Sequence, residues 1–593
     1  MAGGPVYAAA QSAQGGGHNG GGGGGHGGEE GPPQGMYGDY ILMALAGAVA
    51  LYFAWAMSLR VHAHIRRLFG LLNEKQRYFA RPDHRMAWFK RNVVDAPLFR
   101  VRHNREFQLS SAINMGTLPT RFQSLVLVGL LATNAALCLH GIPFSRGMDA
   151  FASPLLSRTG ILSVVNTIPL VILAGRNNPL IPLLGLSFDC WNLFHRWLGR
   201  IAAFEAAGHM AIWMAYKVHR SGWAAVGQSI THSTKIMTGF VAVCCFVGMS
   251  LLASSPLRHA FYETFLHIHI GAALTAFIFL WIHLKGSPAR DYLLATLILW
   301  GAERFARLFR QVYRNLFKGR TRATVEILPG EAMRITLTLA RPWRHRPGQH
   351  LYLYIPSVSW WMSHPFSVAW SQPEEVITDE KGLVMTQQDV QTLQKDTISL
   401  LVRRRTGFTD TLYKRANKAE GKRISFFAIA EGPYGGIHDL DSYGTVVLFA
   451  GGVGITHHIP FIHHLVEGYA EGLVAARRVT LVWTLQSPEH LEWIRPWIIQ
   501  VLALNRRREV LRIMLFITRP RNAREVQSPS ATVQMFPGRP NVGTILDMEI
   551  EQQIGTMAVL VCGTGSLSDD VRRACRQRQS ISNIDFLEEA FSW

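Results

Sequence analysis

"FHRWLGRIAAFEAAGHMAIW", residues 194–213, places His195 and His209 fourteen residues apart in a segment otherwise apolar enough to lie in a bilayer. Fourteen residues are almost four turns of helix, so both imidazoles project from nearly the same face, about 21 Å apart along the axis. The spacing repeats in "FLHIHIGAALTAFIFLWIHL", residues 265–284, with His269 and His283. His267 competes with His269, but the residue fourteen beyond it is Trp281, so the repeat selects His269. One span separates the two helices, so they run parallel, and His195 can level with His269 and His209 with His283. An imidazole in hydrocarbon is costly and needs a bundle interior, a partner or a cofactor. A hydrogen-bonded packing role accounts for one such residue; two pairs with identical spacing point to a shared ligand. Neutral imidazole is a good iron ligand, and haem is the cofactor whose two axial positions facing helices would fill. The pattern predicts two six-coordinate haems, one near each membrane face, with these four histidines as metal ligands.

Gly199, Gly208 and Gly271 lack side chains near the expected ligands, which suits either a porphyrin against the backbone or ordinary close helix packing. Arg196 and Arg200, near the inner end, either pair with haem propionates through charge-assisted hydrogen bonds or mark the cytoplasmic boundary. Glu205 is an acid inside a span and requires a partner or a proton role.

The 593-residue chain concentrates its apolar blocks before residue 320 and reads as a membrane half followed by a soluble half. Candidate spans at 40–59, 121–140, 160–174, 188–216, 235–253, 261–283 and 291–309 approach the roughly 20 residues that cross a bilayer core, 160–174 being the shortest. Lys and Arg outnumber Asp and Glu 60 to 40, and segment 60–105 alone holds twelve basic residues against three acids. A loop so basic stays cytoplasmic, which puts the N-terminus outside and, after seven spans, the C-terminal half in the cytosol. The charge-poor "GIPFSRGMDAFASPLLSRT" suits an outside loop, and the basic "ERFARLFRQVYRNLFKGRTR" an inside end; "KVHRSGWAAVGQSITHSTK", assigned outside, is mildly basic. Membrane orientation thus accounts for the positive charge, and no nucleic-acid partner is expected. The six cysteines show no paired spacing and no disulfide framework. The opening "GGGHNGGGGGGHGG" lacks apolar residues to bury and the pattern of a signal peptide, so 1–35 is expected to be a disordered extracellular tail.

From about 321 the pattern changes. "ATVEILPGEAMRITLTLA" reads as two strands joined by a Pro-Gly turn, followed by "RPGQHLYLYIP", "HPFSVAW" and "TISLLVRRRTGFTDTLY", a strand running into a helix start. Gly407 and Thr409 there leave backbone and hydroxyl donors for a phosphate. Beyond "EGPYGG" at 431–436 the chain alternates strand and helix. "TVVLFAGGVGITHHIPFIHHLVEG" is a buried strand, a Gly-rich turn and a helix, and "MAVLVCGTGSLSDDVRRA" repeats the design at Cys562 and Gly563. Two such turns in one sheet point to a dinucleotide site. His457, His458, His463 and His464 are expected to face solvent or neighbouring loops.

In this order the pieces resemble the ferric reductase and NADPH oxidase transmembrane superfamily, most closely the fungal ferric/cupric-chelate reductases, over roughly residues 36–593. "RNNPL", "HRWLGR", the fourteen-residue histidine pairs, "HPFS", "GGVGIT" and the chain-ending "EEAFSW" carry the likeness. The resemblance implies a multi-domain membrane protein: an all-α transmembrane haem-binding bundle at 36–320, then a cytosolic ferredoxin-reductase-like unit. That unit comprises an FAD-binding β-barrel at 321–436 and an α/β NADPH-binding domain at 437–593. The implied cofactors are FAD, NADPH and two haem b. By the same resemblance His364, Pro365, Phe366 and Ser367 would cradle the flavin, with Gly407 and Thr409 near its diphosphate. Gly451, Gly452, Gly454 and Thr456 would meet the NADPH phosphates, and Cys562 and Gly563 would lie near the nicotinamide. Trp593 matches a terminal aromatic that stacks on the flavin and yields to nicotinamide. The family usually writes "CGPG" where this chain has "CGTG", and neither Arg519 nor Arg521 is singled out for a 2′-phosphate.

The implied chemistry is a chain of carriers. NADPH delivers two electrons as a hydride, a haem iron takes one, and flavin bridges the difference. Electrons would pass from FAD to the inner pair, His195 and His269, then to the outer pair, His209 and His283. They would leave to extracytoplasmic Fe(III) chelates, with Cu(II) as a further acceptor, supporting iron uptake at the plasma membrane beside an iron permease/oxidase system. With histidine on both axial positions, that last transfer is outer-sphere. Two alternatives stay open: an NADPH oxidase reducing O2 to superoxide over the same ladder, and a transporter or channel with a nucleotide-sensing tail, which would hold no haem.

Overall fold

The computed structural model describes residues 35–589 apart from 104–116, 318, 344, 361, 374–395 and 521–526. The Gly-rich opening run, Arg521 and Trp593 lie outside the described residues.

Eight long or paired helices build the N-terminal part: α1 (Met36–Leu72), α2 (Arg121–Leu139), α3 (Met148–Val165), α4 (Thr167–Ala174), α5 (Phe188–His232), α6 (Thr234–Leu252), α7 (Tyr262–His283) and α8 (Ala289–Asn315). Five stretches among the described residues are long and apolar enough to cross a membrane: Met36–Leu72, Arg121–Arg146, Met148–Ala174, Thr234–Leu252 and Tyr262–His283. Two of the seven expected spans, those of α5 and α8, fall short of that standard because charged and imidazole side chains run along them. α5 packs against α3, α4 and α6, and α8 against α3 and α4, although α8 leaves Ile298, Phe305 and Leu308 exposed.

Two expected boundaries are corrected. The third span starts at Met148 rather than 160, so twelve of the nineteen residues of the supposed outside loop are helix, begun by Gly147 at φ 85°. The segment 217–235, expected as a loop, continues α5 as far as His232, with one break at Gly222, where φ 76° and ψ 174° lie outside the helical region.

The end of α1 and the chain between α1 and α2 do more than flank a membrane. Arg67 pairs with Asp441 (3.1 Å), Lys90 with Asp585 (2.5 Å) and Arg102 with Glu588 (2.5 Å). Gln76 donates to the Ala475 carbonyl (2.8 Å), and Asn583 to that of Phe79 (2.9 Å). This loop therefore clasps the C-terminal domain.

The middle of the chain folds into two antiparallel sheets around one core. The larger contains β1 (Arg322–Leu328), β2 (Ala332–Thr338), β5 (Trp370–Pro373), β6 (Asp396–Arg403) and β7 (Arg423–Phe427), in the order β5-β6-β2-β1-β7. The smaller contains β3 (Gln349–Tyr354), β4 (His364–Ser367) and β8 (Ile429–Gly435), in the order β4-β3-β8. Alternate residues such as Val325, Ile335, Leu337, Leu351, Leu353 and Leu400 fill the space between them. α9 (Phe408–Lys418) closes this core with Phe408, Leu412 and Ala416.

The last domain is a parallel sheet of β9 (Thr445–Gly451), β10 (Arg478–Leu485), β11 (Leu511–Ile517), β12 (Val533–Pro537), β13 (Met557–Cys562) and β14 (Ile584–Glu588). Its central strands are covered on both faces, which is why "TVVLF" and "MAVLV" read as unbroken apolar runs. The order β12-β11-β10-β9-β13-β14 reverses direction between β9 and β13. Ligands of open α/β sheets bind at such a reversal, beyond the carboxyl ends of the strands.

Candidate functional site

The four histidines of α5 and α7 form two facing pairs. The rings of His195 and His269 have centroids 6.2 Å apart with planes at 69°, and those of His209 and His283 are 6.3 Å apart at 87°. Three of the four are oriented from behind. Nδ1 of His195 donates to the Leu170 carbonyl (3.0 Å), that of His209 to Leu156 (2.8 Å) and that of His283 to Lys235 (2.7 Å). A carbonyl only accepts, so the proton sits on Nδ1 and the Nε2 lone pair is left for a ligand. Nδ1 of His269 has no hydrogen-bond partner among the described residues.

The glycines that matter here are partly different from those expected. A Cβ on Gly160 of α3 would lie 2.8 Å from His209 Nδ1, and one on Gly239 of α6 would lie 2.6 Å from His283 Nδ1. These two glycines let the neighbouring helix come close enough to orient the ring. Gly208 and Gly271 have nothing within 4 Å of a would-be Cβ, whereas a Cβ on Gly199 would meet Leu170 Cδ1 at 3.5 Å. Arg200 lies over the Trp197 ring at 5.1 Å, and neither Arg196 nor Arg200 forms a salt bridge among the described residues.

In the barrel, His364 stacks on Phe408 with centroids 4.5 Å apart, and Phe366 lies 6.4 Å from the same ring. Pro365 and Ser367 pair across the sheet with Tyr352 and His350. Gly407, at φ 74°, precedes α9, and the Thr409 hydroxyl accepts from the Arg405 N–H (2.8 Å) at the helix start. Nearby, a cavity opens where bundle, barrel and C-terminal domain meet, lined by Arg176, Asp189, His350, Tyr352, Tyr434 and Glu589. The Arg176 guanidinium stands 3.6 Å above the Tyr352 ring. Burial, helped by Arg176, pushes the His350 imidazole down to about 4, so it is neutral at pH 7. Burial, then the Asp189 and Glu588 carboxylates, push Glu589 up to about 8. Arg176, His350 and Tyr352 were not singled out from the sequence, although Arg176 stands in the quoted "RNNPL".

At the sheet reversal the two glycine turns touch. A Cβ at Gly451 would meet Gly563 Cα at 3.2 Å, and one at Gly454 would run into the Cys562 carbonyl. Gly452 takes φ 54° with open space beside it, and its carbonyl accepts from Trp483 Nε1 (3.0 Å). The Thr456 hydroxyl donates to the Val453 carbonyl (2.9 Å) at the start of α10 (Ile455–Glu471). Cys562 is buried at the end of β13, and burial pushes its thiol well above the ordinary range, so it is protonated. His457 and His458 do not face solvent: they are 1% and 0% exposed, because the first turn of α10 tucks under the sheet, and His458 Nε2 bonds to the Phe449 carbonyl (2.9 Å). His464 is partly exposed and pairs with Asp441 at 2.7 Å.

Comparison with known families is decided by three consecutive matches. Residues 159–280 match the description "Ferric reductase like transmembrane component", 317–438 "FAD-binding domain" and 443–576 "Ferric reductase NAD binding domain". The chain belongs to the ferric reductase family. Its membrane bundle is thus followed by FAD-binding and NAD-binding domains, and it is an oxidoreductase of the membrane. "Ferric reductase transmembrane component 3" of Saccharomyces cerevisiae is 24% identical over 94% of this chain and 78% of its own length. "Ferric/cupric reductase transmembrane component 2" of the same yeast is 25% identical over 86% and 72%. "Probable cell surface ferric reductase kap2" of Aspergillus oryzae is 29% identical over 58% and 45%. The ferric reductase match at 159–280 contains His195, His209 and His269, and His283 follows three residues later.

Proposed function

We propose that this chain moves electrons from cytosolic NADPH, through FAD, through two haem b groups held by His195/His269 and His209/His283, to Fe(III) chelates on the far side of the membrane. Cu(II) is a further acceptor, and the setting is iron uptake at the plasma membrane, beside a permease/oxidase system. The domains divide near residues 320 and 436. The observation that carries the reading is the ring spacing. An imidazole nitrogen lies about 1.1 Å from its ring centre and about 2 Å from a bound metal, so two axial imidazoles set their centres about 6.2 Å apart. The two pairs stand at 6.2 and 6.3 Å. The open space beside Gly208 and Gly271 suits a flat ring, and Arg196 and Arg200 suit its carboxylates.

When bound, the flavin takes two electrons together and releases them singly to one-electron iron centres. The chain's own residues supply placement. Carbonyls of Leu170, Leu156 and Lys235 keep three imidazoles in the ligating tautomer. Gly451, Gly452, Gly454, Thr456 and Gly563 leave room for a dinucleotide at the sheet reversal. His364 to Ser367, Phe408, Gly407 and Thr409 offer the flavin a stacking surface and a helix start for its diphosphate. Arg307 and Gln311 of α8 hold Glu431 of β8, so the barrel is docked against the bundle end nearest His195 and His269. His195, His269, His209 and His283 would hold the haem iron, which would supply one-electron transfer to an acceptor that does not ligate it.

The test uses the full chain in sealed proteoliposomes, with NADPH on the side of the C-terminal domain and a membrane-impermeant Fe(III) chelate on the other. Ferric reduction across the bilayer is expected. NADPH oxidation without reduction of the enclosed chelate, in protein that holds FAD and haem, would overturn the direction of transfer. Superoxide as the sole product would replace the acceptor.

A further inference from the structure

Glu205 is a buried acid that the electron path does not use. It is 5% exposed, and its neighbours Asn166 and Asn134 are 0% and 2% exposed. Asn166 Nδ2 donates to Glu205 Oε2 (2.8 Å) and to Asn134 Oδ1 (2.8 Å). No salt-bridge cation lies within reach of the carboxyl among the described residues. Two acceptors in this cluster, Glu205 Oε1 and Asn166 Oδ1, have no hydrogen-bond partner. An ionised carboxylate would leave both orphaned in the middle of the membrane, where each costs heavily. A protonated carboxyl supplies one O–H, the donor that this cluster lacks.

The depth of the cluster gives the proton a use. Glu205 lies ten residues beyond His195 and four before His209 on α5, while Asn166 lies between Leu156 and Leu170, whose carbonyls hold His209 and His195. The carboxyl thus sits between the levels of the two histidine pairs. Other titratable groups nearby offer it no counter-charge. Cys138 on α2 is apolar in company. Arg158 on α3 is engaged with the His140 carbonyl and with Tyr37, whose ring it covers at 3.7 Å. His209, one turn along α5, is committed through Nδ1 to Leu156.

We propose that Glu205 is a proton-binding site whose occupancy is linked to the electron load of the two histidine pairs, a role that rests on the cofactor reading above. An electron held at either pair makes the potential at Glu205 more negative and favours its protonated form; by reciprocity, the protonated form favours the reduced state. The balance is one proton from bulk water bound to the carboxylate, with no bond broken on the protein. At separations of about 10 Å through protein, the coupling is roughly tenfold in proton affinity.

The experiment compares full-length wild type, Glu205→Gln and Glu205→Asp, purified with their haem. Infrared spectra read the carbonyl stretch of a neutral carboxyl, and potentiometric titration followed by visible absorption is repeated from mildly acidic to mildly alkaline pH. The wild type is expected to show the neutral-carboxyl band and potentials that fall as pH rises. Glu205→Gln should lose the band and the slope, while Glu205→Asp keeps a slope and serves if the glutamine variant does not fold. A slope unchanged in Glu205→Gln, or no neutral-carboxyl band assignable to Glu205, would overturn the proposal with the haems in place. Protein with no visible absorption would instead overturn the cofactor reading, and with it the linkage, while the infrared band still reports whether Glu205 is neutral.

Discussion

Arg307 on α8 grips Glu431 on β8 with both ends of its guanidinium, Nε and Nη2 each 2.8 Å from a carboxylate oxygen. Gln311 Nε2 (2.6 Å) and the Tyr434 hydroxyl (2.8 Å) complete the ring of donors. Burial alone would push the Glu431 carboxyl up, but Arg307 and these bonds hold it below its ordinary value. A helix of the bundle is thereby fastened to the barrel strand next to the shared cavity.

Glu431→Gln should therefore separate two halves of the activity. Leaving Arg307 half-buried without its charge partner costs about 3–5 kcal/mol at this contact. NADPH oxidation by a soluble dye should stay within a few-fold of wild type, while reduction of the far-side ferric chelate falls at least tenfold. Equal loss in both assays would mean that the contact serves folding alone.

The clasp between β14 and the loop joining α1 to α2 gives a pH dependence of definite sign. Burial would raise the Glu588 carboxyl, but Arg572, Arg102 and His103 bring it from 4.5 down to about 2. A depressed carboxyl stabilises the fold fully above the unfolded value, and that contribution is lost as pH falls from about 4.5 towards 2. Thermal unfolding of the wild type should drop through that window. Glu588→Gln should melt lower at neutral pH and show a flatter acid limb; parallel curves for the two proteins would refute the assignment.

The glycines behind His209 and His283 make a sharper prediction than the histidines themselves. Gly239→Ala would put a methyl 2.6 Å from His283 Nδ1, and Gly160→Ala one 2.8 Å from His209 Nδ1. Each should lower haem content to about one per chain and spare the inner pair, as read by absorbance per protein. Gly199→Ala, with only Leu170 at 3.5 Å, should keep both.

Cys562 lies beside the nucleotide turns yet is buried with its thiol held protonated. Alkylating reagents at neutral pH should leave it unmodified in mass spectra of the folded protein, and Cys562→Ser should retain NADPH oxidation within a few-fold. Rapid labelling, or a loss of more than about a hundredfold, would assign the thiol a chemical role.

What the sequence reveals is what short-range periodicity encodes. The spacing of His195 to His209 and of His269 to His283 is helical arithmetic, and "TVVLFAGGVGIT" reads as strand, turn and helix because burial on both sheet faces leaves an apolar run. What it hides is what distant residues decide. The basic charges at Arg66, Arg67, Lys90 and Arg102 read as an orientation signal, yet they also meet Ser442, Asp441, Asp585 and Glu588, hundreds of residues onward. Gly160 and Gly239 stand on neighbouring helices, so no spacing along α5 or α7 points to them. His457 and His458 look polar in sequence, and only the packing of α10 beneath its sheet shows them buried. α5 and α8 pass as spans by length, yet neither is among the helices apolar enough to cross a membrane.

The proposed electron path needs an iron at each imidazole pair, and its most direct test is haem stoichiometry by absorbance in the purified full-length protein and in two variants. Wild type is expected to bind two haems per chain with the low-spin spectrum of paired imidazoles, while His269→Ala and His283→Ala each bind one. Wild type free of haem, or either variant still binding two six-coordinate haems, would contradict it.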